Sequence, residues 1–442
     1  MVDHLVMHSS VAVAWFRRDL RVVDNPALLA ALASASAVVP LFVRDPSILG
    51  GSRASARRNA WLEVVLASLD ADLRTLGGRL VVREGDPREV VPELAREVGA
   101  SMVHAQRDYT PFARSRDAAV ADAVDLRLHQ GLLLAEPEEI GDVKVFAAFH
   151  RRFAARPLRA PLPAPDRVVA PDGVAGIPPD TAPAAGALEA STAAALARLH
   201  AFAARADRYA TDRDRLDVDG SSRLSVHLHF GTVSPAMVAA EVEDDAFRRQ
   251  LAWRDWAHHL VWWRPEAVGA AWREDLRDLR WDDDPALFSA WAEGRTGYPV
   301  VDAAMRQLAA EGFMPNRARM IAASFLAKDL FLDWREGERH FLRQLLDGDV
   351  AANAMGWQWV AGVGTDAAPY FRVFNPVLQG RRFDPAGTWV RRWVPEIAEL
   401  PAAHVHAPWQ APGGPPRGYP PPIVDHAQAR ARAIARYLGR ER

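Results

Sequence analysis

The sequence predicts an α/β chain of two architectures: an N-terminal doubly wound parallel α/β (Rossmann-like) domain and a C-terminal all-α domain. Three observations carry this prediction. Through about residue 135, short apolar runs alternate with helical patterns, as in parallel strands joined by crossover helices. Residues 156–186 are rich in proline, alanine and glycine, a composition that cannot form regular helix and reads as linker. Beyond residue 187 the pattern is helical to the end, with no β-alternation of any length. The expected domains are 1–135 (α/β), 136–187 (interdomain linker) and 188–442 (helical).

Each element has a local reason. The run Val11 to Phe16 ends in the charged turn Arg17-Arg18-Asp19, and Ala37 to Val43 is a second run of the same kind. Residues 79–83 and 101–104 are the third and fourth strand candidates. Helical patterns fill 26–34, 56–76, 88–98 and 112–124. Asn25-Pro26 and Asp86-Pro87 read as an N-cap followed by a first-turn proline. The glycine fingerprint of dinucleotide sites and the phosphate-loop pattern are both absent. In the second half, helices are expected over 188–209, 235–263, 299–311, 317–333, 336–346 and 426–438.

Composition excludes several functions. The chain has 442 residues and no cysteine, which removes disulfides, zinc–thiolate sites, cysteine-ligated iron–sulfur clusters and a thiol nucleophile. The net charge of −2 gives no global sign of nucleic-acid binding. The basic residues are nearly all arginine, with lysine only at Lys144 and Lys328. No apolar run reaches the ~18 residues of a membrane span, and no signal-peptide pattern is visible. A cytoplasmic protein is expected. Of 15 tryptophans, thirteen fall between Trp253 and Trp409. A core needs no such concentration of indoles.

Four segments of the helical half carry chemistry. Gly220 to Ser225 supplies hydroxyls and backbone amides ahead of a helix, either an anion site or an ordinary serine cap. Gln250 and Trp253 are three apart and share a helix face, either a binding face or that of an amphipathic helix with core tryptophans. Asn316, Arg317, Arg319 and Met320 place an amide, two cations and a thioether in one turn, either a binding surface or a solvated basic face. Asp347 and Asp349 precede Asn353 and Trp357, which are four apart. Two carboxylates are a weak metal signal, and the adjacent pair His258-His259 diverges on a helix. No metal site is expected.

Together these strings resemble the DNA photolyase/cryptochrome family, over nearly the whole chain and in the family's order. They include WFRRDLRVVDNPAL (15–28), VFAAFHRRF (145–153), HFGTVSP (229–235) and LAWRDW (251–256). GRTGYPVVDAAMRQL (294–308), NRARMIAASFLAKDLFLDWREGERHF (316–341) and DGDVAANAMGWQWVAGVGTDAAPYFRVFNPVLQG (347–380) complete the match. The pattern is nearest to class I cyclobutane pyrimidine dimer photolyases.

The resemblance implies a FAD held in the helical domain and UV-damaged DNA as the partner. By motif position Tyr209, Ser221, Ser222, Arg223, Leu224 and Ser225 match contacts to the flavin phosphates and ribose. Phe247, Arg254, Arg319, Asp347 and Asp349 match further cofactor positions. Asn353 matches the residue facing the reactive flavin nitrogen. Trp281, Trp334 and Trp357 match the electron relay, and Trp253 and Trp359 match the walls of the lesion cavity. Arg213, Gln250, Asn316, Arg317, Met320, Arg372 and Gln379 match positions that contact lesion or DNA backbone. The implied reaction is light-dependent repair by a deoxyribodipyrimidine photo-lyase, in which reduced FAD donates an electron to a flipped-out dimer.

Some positions depart from the family pattern. Gln250 stands where lesion-repairing members usually carry glutamate, which implies weaker lesion binding or a lower repair yield. Pro315 replaces a frequent histidine and argues against (6-4) repair of the animal type. Zero cysteine excludes the bacterial iron–sulfur (6-4) branch. Thr110 and the lysine-free stretch 264–280 stand near the places where folate-binding members have glutamate and lysine. The antenna expected is therefore 8-hydroxy-deazaflavin rather than methenyltetrahydrofolate, or none. The alternative function is a cryptochrome-type blue-light photoreceptor. Such sensors usually extend beyond the flavin domain, whereas this sequence closes at Arg442 after a last helix, so the enzyme is expected. A monomer without an obligate protein partner and without membrane contact completes the expectation.

Overall fold

The computed structural model describes residues 10–179, 189–369 and 371–439. Linker positions 180–187 and both chain ends lie outside the described residues. The chain divides into two compact units. Unit 1 comprises Met1–Asp142, His150–Ala206 and Ser222–Trp262; unit 2 comprises Val143–Phe149, Asp207–Ser221 and Trp263–Arg442.

Unit 1 is built on five parallel strands: β1 (Val11–Phe16), β2 (Ala37–Arg44), β3 (Val81–Glu84), β4 (Ala100–Gln106) and β5 (Leu126–His129), in the order β3-β2-β1-β4-β5. All six residues of β1 are buried, as a central strand covered on both faces requires. Alternation divides its side chains. Ala12, Ala14 and Phe16 meet α1 (Pro26–Ser34) and α2 (Ala56–Thr75) through Leu28, Leu66 and Leu69. Val11, Val13 and Trp15 lie with Val91 and Leu94 of α3 (Pro87–Glu97) and Val120 of α4 (Pro111–Ala121). The strand order reverses at β1, the hallmark of the doubly wound fold. The expected caps form: Asn25 accepts the amide of Leu28 and Asp86 that of Arg88. Strand β5 escapes the sequence pattern because it is a four-residue edge strand, Leu-Arg-Leu-His, with no apolar run.

The proline-rich stretch from Arg156 to Pro179 has no helix or strand, yet part of it is packed on unit 1. Val168 is fully buried and bonds Leu76 O, Val169 accepts from Val38 N, and Ile177 bonds Val82 O. Unit 1 also contains α5 (Thr192–Ala203), α6 (Ser225–Phe230), α7 (Pro235–Glu241) and most of α8 (Asp245–Trp263). The single helix expected over 235–263 is therefore two, broken at Val242, where the backbone is extended. Likewise 188–209 resolves into α5 and shorter turns.

Unit 2 holds α9 (Pro299–Glu311), α10 (Asn316–Ser324), α11 (Trp334–Gln344), α12 (Val350–Ala361), α13 (Pro376–Phe383) and α14 (His426–Tyr437) around one apolar core. The helix expected over 317–333 ends earlier. After Ser324 it widens into a π segment at Phe325–Asp329, and Phe331 takes a left-handed φ of 59° before α11 begins. No described helix is long and apolar enough to cross a membrane.

Burial sets the pH response. It depresses His227, His259 and His340 to about 4. Between about pH 6.5 and 4 the unfolded chain therefore binds protons that the folded chain does not, and stability falls as pH falls. Asp255 and Asp329, pushed up by burial to about 6, act in the opposite sense over about pH 4 to 6. Between about pH 7 and 5.5 the three histidines outweigh the two carboxylates, so stability falls across this interval. The midpoint of thermal unfolding should drop over this interval; an unchanged or higher midpoint contradicts the assignment.

Candidate active site

In unit 2 the residues singled out from the sequence converge on α10, α11 and α12. Asp349 caps α12 by accepting the amide of Ala352 at 2.8 Å. Asp347 ends the preceding turn, where Arg319 of α10 donates to its two oxygens at 2.8 and 3.1 Å. The Arg319 Nε is held by Met314 O at 2.8 Å, so the guanidinium is fixed from both sides. Among the described residues no group of three or more His, Asp or Glu is placed to hold a metal ion.

Asn353 lies one turn into α12. Its Nδ2 donates to both the main-chain O and the Oε1 of Glu338 on α11, each at 3.0 Å. Glu338 is 3% exposed. With Nδ2 committed, Oδ1 is the amide atom left to accept from a ligand. Glu338 was not identified from the sequence; it stands within the matched string WREGERHF, but nothing local marks it.

The three relay candidates occupy one part of unit 2. Trp357 (2% exposed) and Trp334 (1% exposed) are in its core, and Trp281 packs at the core's margin. Trp281 sits on Phe331 with ring centroids 5.0 Å apart and meets Tyr437 at 6.2 Å. Its neighbour Asp282 bonds Phe331 O at 2.9 Å and bridges to Leu332. That bridge fixes Trp281 beside the segment that leads into Trp334, the first residue of α11. Among the described residues the indole nitrogens of Trp334 and Trp357 are buried without an acceptor.

The remaining candidates of unit 2 form a more exposed set. Asn316 opens α10, exposed, with Nδ2 3.6 Å from Met320 Sδ. Arg317 bonds Asp214 at 2.8 Å and lies over Phe383 at 4.4 Å. Arg213 lies over Tyr209 at 5.5 Å. Ser221 and Trp359 are half-buried, and Arg372 is exposed. Its main-chain O accepts from Lys328 Nζ at 3.0 Å. Lys328 is 1% exposed and depressed by burial to about 8. Gln379 keeps a buried Oε1 without a partner among the described residues.

Unit 1 carries the rest. Neither a Ser222 nor a Ser225 side chain caps α6, whose N-cap is Leu224. Ser222 Oγ instead accepts from Leu224 N at 3.3 Å, around Arg223 with a φ of 53°. On α8, Phe247 packs on Phe202 at 4.8 Å and Trp253 on Trp256 at 5.2 Å. Arg254 donates to Leu132 O at 2.7 Å. Gln250 bonds back to Ala246 O at 3.2 Å. His258 and His259 bond the carbonyls of Arg254 and Ala135.

Two family models match the chain. One, described as DNA photolyase, covers residues 12–166; the other, the FAD binding domain of DNA photolyase, covers residues 247–439. A deoxyribodipyrimidine photo-lyase of Streptomyces griseus is 45% identical, covering 96% of this chain and 98% of the relative. A bacterial class III photolyase from Agrobacterium tumefaciens superposes with a TM-score of 0.91 at 37% identity, covering 99% of both chains. An archaeal photolyase from Sulfolobus tokodaii, solved with two FAD molecules, gives 0.88 at 31% identity over 97% of this chain and all of that one.

The Arg319–Asp347 pair yields a stability prediction. Asp347 is 5% exposed in its side chain and Arg319 25%. Arg319→Ala removes the cation paired with a nearly buried carboxylate and should cost about 2 kcal/mol. Adding Asp347→Asn should recover part of that loss. Urea titration of the four proteins of the cycle measures the coupling; additive effects mean that the pair contributes nothing.

Proposed function

This chain belongs to the DNA photolyase family, and on that premise we propose that it repairs cyclobutane pyrimidine dimers in DNA by light-driven electron transfer. The observation that carries the reading is the packing of α11 on α12. There one pair of helices holds Asn353, clamped by Glu338, one turn from the buried indole of Trp357.

The side chains of unit 2 suit a flavin. Arg319, oriented by Asp347 and Met314 O, offers guanidinium donors in a fixed plane, and Asn353 offers an acceptor oxygen. FAD, when bound, supplies the light absorption and the transferable electron. The protein's part is to bind it, exclude water and keep it reduced.

Trp357, Trp334 and Trp281 supply electrons for that last task. The first two are buried and their N–H groups have no acceptor among the described residues. No protein acceptor among the described residues lies against either N–H, which suits an indole that gives up an electron and takes one from its neighbour. Trp281 at the margin is the outer end. Trp291, by contrast, bonds Ala322 O at 2.9 Å and Trp389 bonds Gln307 at 3.1 Å; both read as core.

Tyr209 and the segment from Ser221 to Ser225, with Phe247, Arg254 and Asp349, are read as further cofactor contacts. In unit 1 Trp253 is read as a wall for the flipped dimer and Gln250 as a lesion contact; in unit 2 Trp359 is read as a wall, with Asn316, Met320 and Gln379 as lesion contacts. Arg213, Arg317 and Arg372 are read as phosphate contacts, which makes binding salt-sensitive. Gln250 keeps an amide where the family places a carboxylate, so lesion affinity is set without that charge. In this reading the protein works as a cytoplasmic monomer on damaged DNA, and light scattering of the purified protein checks its oligomeric state.

For the antenna, Thr110 is occupied as the N-cap of α4, accepting from Ala113 N at 3.3 Å. A hydroxyl there and a lysine-free stretch 264–280, near the places where folate-binding members have glutamate and lysine, support a deazaflavin, or no second chromophore, over a folate. The absorption spectrum of chromophore released by heat decides it; a released folate refutes the reading.

Reduced enzyme should clear thymine dimers from DNA in blue light and leave them untouched in the dark. Loss of dimers in the dark, or none in light with FAD bound, sinks the proposal. Trp357→Phe should abolish photoreduction of oxidised FAD and leave repair by chemically reduced enzyme near the parent's level. Normal photoreduction in that variant would remove the relay assignment.

A further inference from the structure

Helix α11 presents Trp334, Gly337 and Glu338 at a spacing of three and four, on one helical face. Asn353 and Trp357 of α12 are four apart. Glu338 meets Asn353 by hydrogen bonds. Gly337 meets Trp357 by having no side chain. A Cβ at position 337 would lie 2.1 Å from Trp357 Cη2, 2.6 Å from its Cζ3 and 2.6 Å from Leu326 Cδ2. Carbon atoms cannot approach so closely. The nearest atom and one of the next two belong to the rigid six-membered edge of an indole that is 2% exposed; the third is a terminal methyl of Leu326, itself fully buried.

Backbone conformation does not demand glycine at this position, since Gly337 lies inside α11 and has no left-handed φ. Glycine is unfavourable in a helix interior. Room for Trp357 is what the residue provides. Gly356, on α12 itself, is different: a Cβ added there would meet nothing within 4 Å, so it makes no such seat.

We propose that Gly337 is a positioning residue of the electron relay: the bare backbone at this point of α11 seats the Trp357 indole and sets its place relative to Asn353 and Trp334. The proposal rests on reading Trp281, Trp334 and Trp357 as that relay. A larger residue at 337 displaces the indole that receives the first vacancy in the chain of electron transfers. The repair step itself, started from reduced cofactor, does not use Trp357.

The test uses the full chain with FAD in four forms: parent, Gly337→Ala, Trp357→Phe, and the two combined. Phenylalanine lacks the Cη2 and Cζ3 atoms that the alanine methyl would strike. Gly337→Ala should slow blue-light photoreduction by an order of magnitude or more, while chemically reduced protein repairs dimers close to the parent rate. It should lower the Tm by several degrees when Trp357 is present and much less when Trp357→Phe is also present, a non-additive pair. Wild-type photoreduction in Gly337→Ala, with Trp357→Phe inactive in photoreduction, overturns the proposal and leaves the relay standing. Normal photoreduction in Trp357→Phe defeats the relay and the proposal together. Equal Tm losses from Gly337→Ala in both backgrounds also overturn it. Should Gly337→Ala yield no soluble protein, the double variant decides: soluble, FAD-loaded double variant supports the seat, and its absence refutes it.

Discussion

Unit 1 depends on one buried carboxylate. Asp24, with no exposed surface and a φ of 49°, accepts from both terminal nitrogens of Arg159 at 2.6 and 2.9 Å, from Leu162 N at 2.8 Å and from Ser234 Oγ. Arg21 donates to Asp24 O at 2.7 Å and to Gly231 O at 2.9 Å. Burial alone would push the Asp24 carboxyl up; Arg159 and Ser234 with Leu162 N bring it below the usual carboxylate range. A buried charge persists only when it is paired and hydrogen-bonded on every side. This one ties the turn after β1 to the loop at 159–162 and to the start of α7. Gly231 closes the knot. Its φ is 77°, and a Cβ there would stand 2.0 Å from Arg18 O. The strings at 15–28 and 229–235 thus meet in this knot and hold the architecture of unit 1.

Unit 2 has a counterpart in the irregular stretch between α10 and α11. The π segment buries Lys328 and Asp329, adjacent in the chain. Lys328 holds the loop at Arg372, and Asp329 takes His426 Nδ1 at 2.5 Å while its main-chain O accepts from Arg432. Both partners of Asp329 come from α14. The left-handed Phe331 that follows costs on the order of 1–3 kcal/mol. It places the ring against Trp281 and brings Asp282 into its bridge with Leu332. Such widened turns recur at functional sites. Here the consequence is that α14 braces the segment on which Trp281, the proposed outer end of the relay, is packed.

The fold class was legible because its carriers are local. An apolar run buried on both faces, an Asn-Pro or Asp-Pro helix start and a change from strand to helix period all lie within a few residues of one another. What stayed hidden is what depends on partners far along the chain. Strand β5 reads as nothing alone and exists because β4 offers it an edge. The helix expected over 317–333 is helical by pattern, and only Arg372, His426 and Arg432 show why it widens at 325–329. For the site, residue types and spacing pointed to Asn353, Trp357, Arg319 and Asp347, but Glu338 and Gly337 carry no signal of their own. A glutamate on a polar helix looks solvated, and a glycine in a helix looks like a weakness. Each acquires meaning only from the side chain opposite.

The same dependence on context governs the tryptophans. Clustering of indoles says only that the second half is unusual. A missing acceptor for Nε1 is not sufficient either, since Trp61 and Trp393 share it with Trp334 and Trp357. Burying an N–H unpaired is unfavourable, and Trp291 and Trp389 show that this fold can satisfy its indoles when packing is all that is asked. What distinguishes Trp334 and Trp357 is the conjunction. Both lack an acceptor, both belong to the α11–α12 pair, and Trp357 is four residues from an amide that this same pair holds rigid. An indole that must lose an electron without losing its proton is best kept dry and unpaired. On the proposed relay, a helix that must bring such an indole close is best left bare where the ring lies, and Gly337 is that bare point of α11 beside Trp357.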